Sequence, residues 1–171
     1  MSGHAIISHG LQSGPDASKA TALARRAESL GWSFEIPDYR DLDAVSQLGD
    51  VLGRILRLRQ VALAAGPRLV LAGSSMGAFI SARVSLETSV SGLFLMAPPV
   101  RLQGFDIGLE AARVPTRIVH GWHDELIPAL DVVHWAQQRA LPVTLVADSH
   151  RLAAHVQFCA DAFGRFLRGL A

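Results

Sequence analysis

The chain has 171 residues, a length typical of one domain. Half of its residues are hydrophobic and 18% are charged, which excludes an intrinsically disordered chain and supplies enough apolar side chains for a core. Because 16 basic and 15 acidic residues leave a net charge of +1, nothing in the charge indicates a nucleic-acid partner, and we expect one domain over residues 1–171.

Six short apolar runs predict β-strands, and longer segments of helical period lie between them. The runs are 4–8 (HAIIS), 33–36 (SFEI), 68–72 (RLVLA), 92–97 (GLFLMA), 116–120 (TRIVH) and 143–147 (VTLVA). Several runs are apolar at successive positions rather than at alternate ones. Strands of this kind are covered on both faces, which is typical of a parallel sheet.

The segments between the runs carry apolar stripes that predict amphipathic helices. The segment 16–30 places Leu23 and Ala27 on one face, and the segment from 152 to 170 repeats apolar residues every three or four positions. Between the second and third runs, the predicted stripe consists of Leu48, Val51, Leu52, Ile55 and Leu56. Arg54 lies off that stripe, so we expect it on the solvated face.

Alternating strands and helices predict an α/β fold with an open, mostly parallel sheet of about six strands and helices on both faces. The least regular stretch, 98–115, begins with two prolines and is expected to hold a loop and a short helix. In such a sheet, ligands bind at the carboxyl ends of the strands, where the strand order reverses. The residues just past each strand are therefore the candidates for a site.

A G-x-S-x-G motif, GSSMG at 73–77, follows the third predicted strand and opens a helix. A sharp turn between strand and helix forces its central residue, Ser75, into a strained conformation that exposes the hydroxyl. Glycines are needed two positions before and after Ser75, because a Cβ there would clash with the neighbouring strand or helix. Ser75 is the candidate nucleophile, and the alternative is a glycine-serine turn without chemistry.

A serine nucleophile needs a general base and an acid that orients the base. The loop after the fifth strand carries Asp124, and the loop after the sixth carries His150. The order Ser75, Asp124, His150 places one member on each of three loops at one sheet edge. Glu125 and Asp148 remain competing acids, and Asp148 is also placed to cap the last helix.

Backbone amides at the same edge are candidates for stabilising an oxyanion. One is the N–H of Met76, directly after Ser75. The other is the N–H of Leu11, in the loop 8–14 (SHGLQSG), where Gly10 lets the backbone approach a substrate.

These motifs resemble those of the α/β-hydrolase superfamily over nearly the whole chain. The matching segments are HGL at 9–11, DYRD at 38–41, GSSMG at 73–77, HGWHDELIP at 120–128 and the histidine at 150. The resemblance is to small, capless bacterial serine esterases, and it implies a minimal α/β-hydrolase fold without a cap domain. It further implies a small-molecule acyl substrate, an ester or thioester, with no cofactor or metal.

The resemblance carries the roles over to individual residues. Ser75 becomes the nucleophile, Asp124 the acid and His150 the base, while the amides of Leu11 and Met76 form an oxyanion hole. We count four neighbouring residues as candidates for the substrate pocket: His9, Gly10, Trp122 and His123.

Competing functions remain at this stage. A metal site at His120, His123 and Asp124 is disfavoured, because imidazoles three residues apart converge only on a helix and this segment reads as a loop. A non-catalytic binding or sensor protein on the same scaffold is the main alternative, and an acyltransferase is a further one. Arg151, beside His150, is placed to attract an anionic substrate or simply lies in solvent.

The predicted location is the cytoplasm. The longest apolar runs fall far short of the ~20 residues of a membrane span. The first ten residues lack the pattern of a signal peptide. Cys159 is the only cysteine, which excludes an internal disulfide and a cysteine-cluster zinc site.

Overall fold

A six-stranded sheet with helices on both faces makes up the computed structural model, which describes residues 3–170. The strands are β1 (His4–Ser8), β2 (Ser33–Glu35), β3 (Leu69–Ser74), β4 (Gly92–Met96), β5 (Thr116–Gly121) and β6 (Val143–Val146). The helices are α1 (Ser18–Ser29), α2 (Arg40–Asp43), α3 (Val51–Ala64), α4 (Met76–Val84), α5 (Ala129–Gln138) and α6 (Val156–Gly169), and a 3-10 helix, Ala153–His155, precedes α6. This confirms the predicted fold class.

The strand order fixes where the loops meet. It runs β2-β1-β3-β4-β5-β6, and every neighbouring pair is parallel. The chain moves outward from β1 to β2 and then returns to the other side of β1 with β3. The order therefore reverses between β1 and β3, and the crevice at their carboxyl ends is the expected place for a ligand.

The two faces of the sheet bury separate apolar clusters. Leu69 and Leu71 of β3 pack in the cluster formed with α3 and α4. Val70 and Ala72, the residues that alternate with them, pack in the cluster formed with α1 and α6. Because both faces are covered, the strand needs apolar residues at successive positions, as the sequence has them.

The apolar stripe predicted for α3 is wrong. Val51 is buried, but Leu52 is 65% exposed and Leu56 is 52% exposed. The predicted solvent residue, Arg54, is instead fully buried. Its guanidinium pairs with Asp43 at 2.6 Å, and this partner compensates for the burial of a charge that a hydrophobicity pattern assigns to solvent.

The short helix expected in 98–115 is also wrong. This stretch is a loop closed by an isolated antiparallel bridge between Arg101 and Gly108. Its backbone groups find partners outside a helix. The Trp135 indole donates to Leu109 O at 2.8 Å, and the Ala112 amide donates to Ser85 Oγ at 2.9 Å.

Within residues 3–170, no helix is long and apolar enough to cross a membrane. Residues 1 and 2, part of the segment that lacks a signal-peptide pattern, and residue 171 of the predicted domain lie outside the described residues.

Candidate active site

The turn that carries Ser75 has the strained geometry that its motif predicts. Ser75 lies between β3 and α4 with φ 53° and ψ −118°. A Cβ on Gly73 would stand 2.2 Å from Gly77 O, and one on Gly77 would stand 2.0 Å from Ser8 O. Both positions therefore require glycine, and the backbone holds the Ser75 side chain out of the sheet.

Three side chains from separate loops form a hydrogen-bonded row. The Ser75 hydroxyl donates to His150 Nε2 over 2.9 Å, and His150 Nδ1–H donates to Asp124 Oδ2 over 2.8 Å. The Asp124 side chain is fully buried, while that of His150 is 13% exposed. The row therefore runs from a buried carboxylate to a hydroxyl at the surface of the crevice.

The loop after β5 holds the Asp124 carboxylate in its charged form. The amides of Leu126 and Ile127 donate to Asp124 Oδ1 at 2.9 and 2.7 Å. Burial by itself raises the pKa of Asp124, but the hydrogen bonds from His150, Ile127 and Leu126 outweigh it, so the pKa lies below its ordinary value. A charged Asp124 fixes the His150 tautomer that has its proton on Nδ1.

His120 is a neighbour of this row that the sequence did not place there. It is fully buried, and its Nε2–H donates to Ile127 O at 3.0 Å and lies 3.3 Å from Asp124 Oδ2. Its Nδ1 has no hydrogen-bond partner among the described residues. Burial lowers the pKa of His120, so the ring is neutral beside Asp124. No spacing in the sequence indicated this contact, because a four-residue separation brings side chains together on a helix and not in a loop.

The competing acids lie elsewhere. Glu125 Oε2 accepts from the backbone amide of His150 at 3.1 Å and not from its ring. Asp148 Oδ2 accepts from the Ala154 amide and from His155 Nδ1, both at 2.9 Å, so it caps the 3-10 helix before α6. Of the three candidate acids, Asp124 is the one bonded to the imidazole of His150.

A buried ion pair holds the loop that carries Leu11. Arg54 donates to both carboxylate oxygens of Asp43, at 2.7 and 2.6 Å. Its remaining donors reach His9 O at 2.9 Å and Gly10 O at 3.0 Å. Arg54 therefore ties α3 to the loop after β1, a role that the helical pattern of the sequence did not reveal.

His9 braces the same loop from the other side. The Tyr39 amide donates to His9 Nε2 at 3.1 Å, and His9 Nδ1–H donates to Gly10 O at 2.8 Å. Burial lowers the pKa of His9, against the opposing effect of its bond to Gly10, which keeps the ring neutral. A neutral ring can accept from one neighbour and donate to the other, which both contacts require.

Two clefts open beside Ser75. The first, of about 770 Å³, is lined by residues of the loop after β1, the start of α1 and the segment around His150, and it includes His9 and Gly10. The second, of about 430 Å³, is lined by Met76, Val100, Leu102 and Ile127 among others. Leu11 and Ser75 line both clefts.

Two of the four predicted pocket residues lie outside these clefts. Trp122 is 53% exposed and His123 is also exposed, and neither lines the cleft of 770 Å³ or the cleft of 430 Å³. The backbone amide of Trp122 donates to Val146 O, and its half-exposed indole lies in solvent rather than in either cleft. Within residues 3–170, no group of three or more histidine, cysteine, aspartate and glutamate side chains is placed to hold a metal ion.

Comparison with solved structures places this geometry in a family. A protein of the α/β superfamily of hydrolases from Xanthomonas campestris pv. campestris is 53% identical, with 98% of this chain and 99% of that chain covered and a TM-score of 0.95. The chain belongs to the α/β-hydrolase superfamily. An α/β serine hydrolase homologue from Coxiella burnetii is 28% identical over 100% of this chain and 86% of that one, with a TM-score of 0.71.

A more distant neighbour shares the fold alone. A serine hydrolase without a lid, also from Xanthomonas campestris, is 21% identical over 99% of this α/β-hydrolase and 83% of its own chain, with a TM-score of 0.74. No family model matches the chain, and a search of curated proteins found no match. Together the relatives support hydrolase activity for this protein.

Proposed function

We propose that this α/β-hydrolase is a serine hydrolase that cleaves a small or medium acyl ester or thioester through an acyl-enzyme on Ser75. The observation that carries the proposal is the row Ser75–His150–Asp124, with hydrogen bonds of 2.9 and 2.8 Å. A nucleophile, a base and an orienting acid in hydrogen-bond contact are what acyl transfer to serine requires.

The first half of the reaction forms the acyl-enzyme. Ser75 Oγ attacks the acyl carbon as its proton passes to His150 Nε2, and Asp124 stabilises the imidazolium that results. The bond between the acyl carbon and the leaving oxygen or sulfur then breaks, and His150 returns the proton to that leaving atom. In the second half, His150 takes a proton from water, which attacks the acyl carbon and releases the acid and free Ser75.

The oxyanion that forms during each attack needs donors that are already in position. Met76 is the first residue of α4, so its N–H has no acceptor inside the helix. The N–H of Leu11 forms no hydrogen bond among residues 3–170. Both residues line the cleft of 430 Å³ with Ser75, which supports their role as the oxyanion hole.

The size of the clefts favours short and medium acyl groups. The cleft of about 430 Å³ is lined mainly by apolar side chains, among them Met76, Val100, Leu102 and Ile127. His150 does not line this cleft, so we assign the cleft to the acyl chain of a bound ester. Any part of a longer chain that extends past this cleft would lie in water and would add no binding energy from apolar burial.

The test is hydrolysis of p-nitrophenyl esters and acyl-CoA thioesters of graded length by the wild type and by Ser75→Ala. We expect activity that falls with chain length, and a loss of about 10⁴- to 10⁶-fold in kcat for Ser75→Ala. Ser75→Ala should fold as the wild type does, which circular dichroism and urea unfolding check. Hydrolysis by Ser75→Ala at the wild-type rate would contradict the proposal, and a preference for sixteen-carbon chains would contradict the substrate size.

A cytoplasmic location is part of the same proposal. Cys159 is a free, buried thiol, and burial raises its pKa to about 11, so the thiol is unreactive at neutral pH. A reducing compartment suits a chain that uses no disulfide.

A further inference from the structure

The two clefts beside Ser75 differ in charge. The cleft of about 770 Å³, called here the cationic cleft, contains Lys19 and Arg151 in its lining and no aspartate or glutamate. The cleft of about 430 Å³, called here the apolar cleft, contains one arginine and one aspartate among mainly apolar residues. Lys19 is the only lysine of the chain. The cationic cleft therefore has two cations and no carboxylate in its lining, next to Ser75.

Neither Lys19 nor Arg151 forms an ion pair with a carboxylate of residues 3–170. The Lys19 ammonium donates to the backbone oxygen of Arg151. Asp148 is close enough to act on Lys19 through space, but its oxygens accept from the backbone after it and from His155.

The environment of Lys19 favours a bound anion. Burial lowers the pKa of Lys19 below its ordinary value, because the ammonium has lost part of its hydration. The nearby positive charge of Arg151 acts in the same direction. An anionic group in the cleft would replace part of the missing hydration of Lys19 and would be attracted by both cations.

The position of His150 indicates which half of a substrate enters each cleft. His150 lines the cationic cleft and not the apolar cleft. In acyl transfer the base gives its proton to the leaving atom, so the leaving group must lie on the side of His150. The alcohol half of an ester therefore belongs in the cationic cleft, and the acyl half in the apolar cleft.

We propose that the preferred substrates are esters whose alcohol half carries a carboxylate or a phosphate, held by Lys19 and Arg151, and whose acyl half is uncharged. This inference rests on the proposed serine hydrolase function. It names the substrate class of that site, which the similar structures do not assign, and it extends the alternative that the sequence raised for Arg151 alone.

The structure offers a competing role for Lys19, which the test must separate. Because its ammonium bonds to Arg151 O, Lys19 also links α1 to the segment that holds His150. A side chain that only braces His150 would affect every substrate equally. A side chain that binds an anion would affect anionic substrates more than neutral ones, so its replacement would change the preference between them.

The experiment compares three butyrate esters that differ in the group on the phenol: 3-carboxyphenyl, 3-phosphonooxyphenyl and 3-carbamoylphenyl butyrate. The first two carry the two anions, and the third is neutral and of similar size. kcat/KM is measured for the wild type, Lys19→Met, Arg151→Gln and the control Arg117→Gln. Arg117 is exposed near the amino end of β5, whereas the clefts lie at the carboxyl ends of the strands. Its replacement therefore removes the same net charge away from the clefts.

We expect the wild type to prefer at least one anionic ester over the neutral one, with the preference weakened by added salt. Lys19→Met should reduce that preference by about tenfold, and Arg151→Gln, at a more exposed site, by about threefold. Arg117→Gln should retain it. The relative rates on the carboxylate and the phosphate identify which anion the site takes.

Two results would overturn the inference while the serine hydrolase function stands: equal rates of the wild type on all three esters, or an equal loss on all three in Lys19→Met with no change of preference in Arg151→Gln. Failure of the proposed function itself looks different. In that case none of the esters would be hydrolysed by any variant beyond the rate in buffer.

Discussion

Two buried polar networks meet at the crevice between β1 and β3, and they end differently. The row Asp124–His150–Ser75 ends at a hydroxyl that faces both clefts. The pair Arg54–Asp43 ends at the carbonyls of the loop after β1, and its charged groups are almost fully buried. The first network is open, because its last hydroxyl can reach a substrate. The second is closed, because its charged groups are buried and bonded to the protein, so it can only stabilise a conformation. We infer that the first network performs the proposed chemistry and that the second holds the loop after β1, which carries the proposed oxyanion donor Leu11.

Among the replacements that compare the two networks, that of the proposed acid Asp124 should have the largest effect. In Asp124→Asn the side chain keeps its size, but its amide no longer favours the His150 tautomer with the proton on Nδ1. We expect kcat on a short p-nitrophenyl ester to fall by about 10⁴-fold. Urea unfolding should show that the variant remains folded.

Asp148→Asn is the matched control for this change. Asp148 lies two residues from His150 but bonds to the turn before α6, so we expect kcat within about tenfold of the wild type, a loss of no more than ~1.4 kcal/mol in transition-state free energy. If Asp148→Asn lost as much activity as Asp124→Asn, the assignment of the acid would be wrong.

Breaking the closed network should act first on stability. Arg54→Met leaves Asp43 as a buried charge without its partner, and we expect the free energy of unfolding to fall by about 3–5 kcal/mol. The double variant Arg54→Met/Asp43→Leu removes both charges and should recover much of this loss, as thermal and urea unfolding would show.

The control for that change lies on the same helix. Arg59 forms an ion pair with Glu87 in which both side chains are nearly half exposed, so Arg59→Gln should cost less than about 1 kcal/mol. Equal losses for Arg54→Met and Arg59→Gln would remove the distinction between a buried support and a surface pair.

Both networks should also make the stability of the fold depend on pH, and this effect should be the smallest. Burial lowers the pKa of His9, beside the closed network, and of His120, beside the open row, below the ordinary 6.5. The unfolded chain therefore binds more protons than the folded one as pH falls below 6.5, so stability declines from there until the folded pKa is reached. The lowered pKa of Asp124 acts at lower pH. The stability that the charged carboxylate contributes is present above pH 3.8 and is lost as pH falls through the pKa of the folded state.

Urea unfolding between pH 7 and pH 5 tests the contribution of the two histidines. The wild type should lose stability over that range, by at most ~1.4 kcal/mol per pH unit for each histidine. His120→Asn should have a smaller slope, because one of the two histidines is gone. An unchanged slope would show that His120 takes up its proton in the folded state as readily as in the unfolded one.

The sequence predicted the parts of the site that depend on topology. Ser75, Asp124 and His150 each follow a strand of a parallel sheet, and such ends meet at one edge whatever the details of packing. Loop details were less predictable: Trp122 and His123 share a loop with Asp124, yet they lie outside both clefts. Which way a side chain leaves a loop depends on backbone contacts that the sequence pattern does not contain.

Arg54 shows why part of the support was missed. Helical periodicity sorts residues by hydrophobicity, so it assigned an arginine to solvent. The deciding contact is with Asp43, eleven residues earlier in another helix, and no pattern within α3 reveals it. The short helix expected in 98–115 was wrong for a similar reason, since the backbone of this loop bonds to the side chains of Ser85, directly after α4, and Trp135 on α5.

The most direct test is labelling with a fluorophosphonate probe, which loses fluoride as an activated serine oxygen bonds to its phosphorus. Peptide mass spectrometry of the folded protein should find one adduct on Ser75, with labelling slowed strongly in Asp124→Asn and unchanged in Asp148→Asn. An unlabelled Ser75 in folded wild-type protein, or labelling that does not depend on Asp124, would contradict the assignment of this row as the reactive centre.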